Sequence, residues 1–342
     1  MNKVKVIRAG KRWLPPLLAL SLAGAALLSL HWPYAGFAEE VFVDLPHGTS
    51  SVQMARRLAE AGVIRWRWQF WLARALKART RLQAGEYLFS RPASTWEVFD
   101  RIARGDIFYY ELAVPEGANM FEIAASVAAL GIATGEEFLR AARDPSLISD
   151  IAPRAPTLEG YLFPDTYRVS RHTTPHELCR QMTARFRQVW ASLGAEADVH
   201  FVVTLASLIE KETALPQERP LVASVFLNRL RRGMPLACDP TVIYAALLED
   251  RYRGALYRSD LESWQRYNTY RYPGLPPGPI ANPGLASLKA ALAPAQTDYL
   301  YFVARPDGSG GHEFSKDLAT HLRAVARYRR GQKTNQRRAP SG

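Results

Sequence analysis

Phe201-Val202-Val203-Thr204-Leu205-Ala206-Ser207-Leu208-Ile209-Glu210-Lys211-Glu212-Thr213 is the stretch that most constrains the fold. The nearly unbroken apolar run from Phe201 to Ile209 predicts a helix over about 200–213, buried on most of its surface, that delivers Glu210 from the interior. Few carboxylates sit in such a place. At helical spacing Glu210 shares a face with Val203, Ala206 and Ser207, small residues that leave room beside the carboxyl for a ligand. Leu208 and Ile209 would disfavour its charged form, the condition that makes a Glu a usable general acid near neutral pH. The competing reading is a helix-end Glu paired with Lys211 or Arg219.

Upstream of this helix the chain repeats itself. Val43-Asp44-Leu45-Pro46-His47-Gly48 is echoed by Leu112-Ala113-Val114-Pro115-Glu116-Gly117, each a short strand running into a Pro-x-Gly turn. A helix follows each turn, with Met54, Ala55 and Leu58 matching Ile123, Ala124 and Val127, and with Gly62 and Gly131 as stops. Tyr87-Leu88-Phe89 then matches Tyr161-Leu162-Phe163, and Ser94-Thr95-Trp96-Glu97 and Thr174-Pro175-His176-Glu177 both read as capping boxes. Residues 41–106 and 110 to about 190 are therefore expected as related strand-helix-strand-helix units. The first is similar to the small LysM-like fold that binds glycans, or it is a spacer.

The apolar segment Trp13 to Trp32 carries no charge, and its length suits a ~30 Å hydrocarbon core. Trp13, Trp32 and Tyr34 stand where interfacial aromatics belong. Lys3, Lys5, Arg8, Lys11 and Arg12 precede the segment and no basic residue follows until Arg56. The positive-inside rule then predicts a transmembrane helix at 13–32, residues 1–12 in the cytoplasm and the remainder outside. The alternative is a cleaved signal peptide with Gly36-Phe37-Ala38 as its site.

The formal charge of +12 looks like a nucleic-acid signal until it is located. Five basic residues lie before Trp13, and Arg323, Arg327, Arg329, Arg330, Lys333, Arg337 and Arg338 supply the rest, so 13–322 is formally neutral. No nucleic-acid partner is expected. Residues 331–342 read as a basic disordered tail continuing an exposed helix end. Cys179 and Cys238 have no zinc-site spacing and the closest His pair, His172 and His176, is broken by Pro175, so no metal is expected. The two cysteines could pair in an oxidising compartment, a matter that spacing leaves open. No GxSxG, P-loop, GxGxxG or HExxH string occurs, and Ser207 is four residues from Lys211, which removes the SxxK reading.

Beyond the helix, Asp239-Pro240-Thr241, Tyr267-Asn268-Thr269-Tyr270 and Gly274-Leu275-Pro276-Pro277-Gly278-Pro279-Ile280-Ala281-Asn282-Pro283-Gly284 place amides, hydroxyls and flat rings on rigid loops. Such loops suit a sugar cleft, and each such residue also suits ordinary turn chemistry.

Taken together, LEGYLFPDTY (158–167), ASLIEKET (206–213), SVFLNRL (224–230), DPTVIY (239–244), YNTY (267–270), GLPPGPIANPG (274–284) and GGHEF (310–314) resemble the endolytic murein transglycosylase family, also called MltG/YceG-like. The resemblance spans about residues 40 to 330. It implies cleavage of peptidoglycan glycan strands between N-acetylmuramic acid and N-acetylglucosamine without water, leaving 1,6-anhydromuramic ends, with no cofactor. Glu210 takes the place of the family's catalytic Glu, acting first as acid and then as base. Glu212, two residues along the helix, points away, which leaves Asp165 and Asp239 as alternative second carboxylates. Cys238 departs from the polar residue expected before the DPT motif.

These readings give an α+β protein: the transmembrane helix, a LysM-like βα subdomain over 41–108 and a mixed catalytic domain over 109–330. Tyr161, Tyr167, Asn228, Asp239, Thr241, Asn268, Tyr270, Asn282 and His312 are the expected glycan contacts. The expected location is the bacterial inner membrane with the catalytic domain in the periplasm, and the partners are glycan strands and peptidoglycan synthases. The alternatives are a muramidase-type hydrolase and a non-catalytic glycan-binding scaffold.

Overall fold

The computed structural model describes residues 14–338, and their elements are mixed α+β. The chain divides after Tyr109 into two compact units, each with its own core.

The first unit opens with α1 (Leu14–Ser29), whose leucines at 17, 18, 20, 22, 27 and 28 are exposed. Its 16 residues rise ~24 Å, short of a ~30 Å hydrocarbon core. No helix among the described residues is long and apolar enough to cross a membrane, so the helix expected over 13–32 is not what the structure shows; Trp13 lies outside the described residues. The end of α1 is docked instead. Leu30 is buried, its carbonyl accepts the Trp96 N–H at 3.0 Å, and Gln69 Nε2 donates to the Ser29 carbonyl at 3.1 Å.

Strand β1 (Val41–Leu45) alternates burial, with Val43 and Leu45 inward, and pairs antiparallel with β2 (Gly85–Phe89) in the register Val43↔Tyr87. Between them lie α2 (Ser51–Glu60) and α3 (Arg67–Leu76), and α4 (Thr95–Arg104) follows. The second unit repeats the order: β3 (Tyr110–Ala113), α5 (Met120–Ala129), α6 (Gly135–Ala142), β4 (Thr166–Val169) and α7 (Pro175–Leu193), with β3 and β4 antiparallel.

The repeat is therefore strand-helix-helix-strand-helix, with one helix more than the sequence suggested. Both capping boxes form, Ser94 with Glu97 opening α4 and Thr174 with Glu177 opening α7. The match of Tyr87-Leu88-Phe89 to Tyr161-Leu162-Phe163 does not hold, because the second strand is 166–169. Residues 161–163 lie in buried turns.

The rest of the second unit surrounds α8 (Val199–Glu212), capped by Asp198, whose carboxylate accepts the Phe201 N–H. Residues 202–209 are all buried. Removing each large side chain from water contributes ~1.5–3 kcal/mol, so this helix anchors the core as its sequence requires. It packs against α9 (Arg219–Arg231), α10 (Asp239–Leu248) and, beyond the short α11 (Arg258–Leu261), α12 (Leu285–Leu292). A hairpin of β5 (Tyr301–Ala304) and β6 (His312–Ser315) leads into α13 (Leu318–Arg338), whose backbone stays helical through most of the tail expected to be disordered. Cys179 and Cys238 are free and buried.

Candidate active site

Glu210 lies in the last turn of α8, its side chain only 6% exposed. Arg219, the first residue of α9, donates from Nη2 to Glu210 Oε1 at 3.1 Å, and the Gly284 N–H donates to Oε2 at 2.9 Å. The carboxylate is thus held by a charge and by the backbone at the head of α12. Lys211 turns away and donates to the Gly117 carbonyl at 3.1 Å.

The room expected beside Val203, Ala206 and Ser207 is occupied. Ser207 Oγ accepts the Ile280 N–H at 3.1 Å, and a Cβ on Gly160 would meet Pro279 at 2.4 Å and Val203 at 2.8 Å. Small residues on that face of α8 admit the Pro/Gly loop rather than a ligand. The Pro115-Glu116-Gly117 turn covers Glu210 from another side. Gly117, at φ +78°, stands where an added Cβ would lie 3.4 Å from Glu210 Cγ, and the turn borders a cleft of about 230 Å³ that Lys211, Glu122 and Ser126 also line.

Asn282 is fully buried and makes no side of that cleft. Its Oδ1 accepts the Gly160 and Leu162 N–H groups at 2.8 and 2.9 Å; its Nδ2 donates to the Ala118 carbonyl at 2.9 Å and to Glu159 Oε1 at 2.8 Å. The Gly117 N–H donates to its carbonyl at 2.9 Å. One amide therefore ties three chain segments together two residues before Gly284. Burial pushes the Glu159 carboxyl up to about 8, against the opposing hydrogen bonds from Met120, Tyr244 and Gly160.

Tyr161 is in the core, its hydroxyl 2.9 Å from His200 Nδ1. Tyr167, on β4, donates to the Phe163 carbonyl at 2.5 Å. Asn228 donates to the carbonyls of Thr297 and Tyr299 at 2.9 and 2.8 Å. Asn268 donates to the carbonyls of Leu261 and Ser263, both at 2.9 Å, and the Thr241 hydroxyl is 2.9 Å from that of Thr269. These amides and hydroxyls are consumed inside the protein.

Only Asp239 and Tyr270 meet at an exposed position, the phenol donating to Oδ1 at 2.5 Å. Beside them burial raises the Glu212 carboxyl, countered by the Cys238 thiol and reinforced by the Asp239 charge. Cys238 thus occupies its loop as a buried thiol hydrogen-bonded to Glu212. His312 clamps Glu218, donating its N–H at 2.8 Å with Nδ1 2.7 Å from the other oxygen, one residue before Arg219. Its place is behind the Glu210 partner rather than in the cleft.

Two residues near Glu210 were missed from sequence. The Glu116 carboxyl lies against Gly284, where an added Cβ would be 1.9 Å from its Oε1, so it is within about 7 Å of Glu210 Oε2. It is exposed and makes no ion pair or hydrogen bond among the described residues. Gly284 was seen only as part of a turn-rich loop. Asp165, by contrast, is engaged by Arg185 at 2.7 Å. Among the described residues no group of three or more His, Cys, Asp or Glu could hold a metal ion.

The YceG-like family matches residues 43–327. An endolytic murein transglycosylase of Bacillus subtilis (strain 168) is 33% identical over 309 residues, covering 84% of each chain. One of Streptococcus pneumoniae serotype 2 (strain D39 / NCTC 7466) is 30% identical over 327 residues, covering 84% of this chain and 58% of the longer relative. The crystal structure of a yceG-like protein from Listeria monocytogenes is 32% identical, with a TM-score of 0.53 over 83% of this chain and 99% of that one. The match contains Glu210, Arg219, Asn282 and Gly284, and the chain belongs to the YceG-like family.

Proposed function

We propose that the chain is an endolytic murein transglycosylase, cutting glycan strands between N-acetylmuramic acid and N-acetylglucosamine without water. The observation that carries this reading is the carboxylate of Glu210, gripped by Arg219 and the Gly284 N–H at the end of a buried helix. In its acid form Glu210 gives its proton to the glycosidic oxygen as the bond from that oxygen to C1 breaks. The anion left on Glu210 meets two donors already in place, so the charge that develops costs little reorganisation. The muramic C6 hydroxyl then bonds to C1 and returns its proton to Glu210, closing a 1,6-anhydro ring with no net consumption of protons or water. Mass spectrometry of digested glycan strands tests this: anhydro ends are expected from the wild type and none from Glu210→Gln.

One observation favours a second reading, a muramidase-type hydrolase. Glycoside hydrolases use two carboxyl groups no more than about 9.5 Å apart, and the Glu116 carboxyl, within about 7 Å of Glu210, satisfies that limit. A hydrolytic cut leaves ends heavier by one water, which the same spectra resolve.

The segment 13–32 would serve as a membrane anchor, with residues 1–12 in the cytoplasm and residues 41–330 in the periplasm. The support is the uncharged, exposed α1 and the five basic residues before it. Carbonate extraction should leave the chain with membranes, and release into the supernatant would end the proposal. Residues 41–108 are assigned as a LysM-like glycan-binding part, supported by the β1/β2 pair with its two intervening helices. Contact with peptidoglycan synthases would follow from a substrate still near its polymerising enzymes. Crosslinking that captures no synthase would refute it.

A further inference from the structure

The stretch Arg65-Trp66-Arg67-Trp68-Gln69-Phe70-Trp71-Leu72-Ala73-Arg74-Ala75-Leu76-Lys77-Ala78-Arg79-Thr80-Arg81 holds six basic residues, three tryptophans and no acid. Within it α3 buries Gln69, Phe70 and Ala73 and leaves Trp68, Trp71, Ala75 and Leu76 exposed, as is Trp66 just before it. Folded domains rarely leave three tryptophans on one short surface segment without a use for them. Trp66 and Trp68 stack at 6.0 Å, and the Arg65 guanidinium lies 4.6 Å over the Trp66 ring.

The same surface is continuous with the end of α1. A groove of about 430 Å³ is walled by Ala25, Leu28 and Trp32 on one side and by Arg65, Trp66 and Gln69 on the other. Trp32 is 76% exposed at that junction. Hydrogen bonds to the Leu30 and Ser29 carbonyls hold the end of α1 to this unit, which sets Trp32 and Trp66 along the same groove. Arg65, Arg79 and Arg81 have no acidic partner among the described residues, whereas Arg67 is 3.1 Å from Glu60 and Lys77 is 2.6 Å from Asp100.

We propose that α3 and its flanks form a second membrane contact, in which Trp66, Trp68, Trp71 and Trp32 enter the headgroup region of an anionic phospholipid bilayer and Arg65, Arg79 and Arg81 meet its phosphates. Tryptophan's flat, amphipathic ring suits that depth, and unpaired cations beside exposed apolar rings are the pattern of a helix lying in the interface. The contact does not require α1 to cross the bilayer, and it would set the first unit flat on the surface rather than on a flexible stalk.

The full chain in nanodiscs of phosphatidylglycerol and phosphatidylcholine, oxidised by hydroxyl radicals and read by peptide mass spectrometry, tests this. Oxidation of Trp66, Trp68 and Trp71 should fall about tenfold relative to the chain in detergent, with Trp264, 72% exposed in the second unit, as reference. Replacing Arg65, Arg79 and Arg81 together by Glu should restore most of that oxidation without changing the thermal unfolding midpoint. Failure to associate with the anionic bilayer, undiminished oxidation in it, or protection by added glycan strands alone would overturn the proposal. None of these outcomes bears on whether the protein cleaves glycan.

Discussion

The Gly284 N–H donates to Glu210 Oε2 at 2.9 Å while the other face of the same glycine lies against the Glu116 carboxyl. One residue without a side chain therefore separates two acids, and a methyl group on its Cα would occupy the present place of the Glu116 carboxyl. Gly284→Ala keeps its N–H, but its methyl must displace either the Glu116 side chain or that N–H, and to the extent that the N–H is moved off Glu210 Oε2 glycan cleavage should fall, by up to about tenfold, while the protein stays folded. The double variant Gly284→Ala/Glu116→Ala should recover part of the loss. Unchanged cleavage in the single variant would show that this approach has no role.

Arg219 and Glu210 are buried together, with side chains 9% and 6% exposed. Arg219→Met strands a carboxylate without its cation and should lower unfolding free energy by roughly 3 kcal/mol in chemical denaturation. Combined with Glu210→Gln the loss should shrink, because the stranded charge is gone. Equal losses in the single and double variants would contradict the pairing.

Asn282 makes four side-chain hydrogen bonds in the interior, so Asn282→Ala leaves buried N–H and C=O groups unmet. A cost of roughly 3 kcal/mol or more is expected, with cleavage falling because the Gly117 turn and Gly284 lose their common support. A loss of glycan affinity with unchanged stability would instead restore Asn282 to the cleft.

These residues show which parts of the fold and site were legible in the sequence. Apolar periodicity and capping boxes mark α8, α4 and α7 because those signals are local. The second helix of each repeat was missed. In α3 tryptophans occupy exposed positions and blur the apolar stripe, and α6 begins on a glycine. Glu210 was legible as an acid at the end of a buried helix, and Arg219 as one of its two possible partners. What could not be read was the direction of a polar side chain on a loop. Asn228, Asn268 and Asn282 have the chemistry of glycan contacts, yet each satisfies backbone groups that only the tertiary fold brings near. Glu116 was visible within an echoed turn, and nothing local says that the turn meets Glu210.

Glu159 sets a pH dependence. Burial raises its carboxyl to about 8 from an ordinary 4.5, so the folded state holds a proton that the unfolded chain releases. Its stabilising contribution is complete below the ordinary value, declines by up to ~1.4 kcal/mol per pH unit as pH rises, and is gone above about 8. The stability gap between wild type and Glu159→Gln should therefore narrow from pH 5 to pH 8 in denaturant titrations. A gap that stays constant would mean that Glu159 is charged in the fold at neutral pH.

Whether Glu210 alone closes the anhydro ring is read from the mass of glycan ends released by three purified full-length proteins: wild type, Glu210→Gln and Glu116→Gln. A single acid/base requires 1,6-anhydromuramic ends from wild type, none from a folded Glu210→Gln, and anhydro ends still from Glu116→Gln. Reducing ends one water heavier from the wild type, or cleavage surviving in Glu210→Gln, would contradict it.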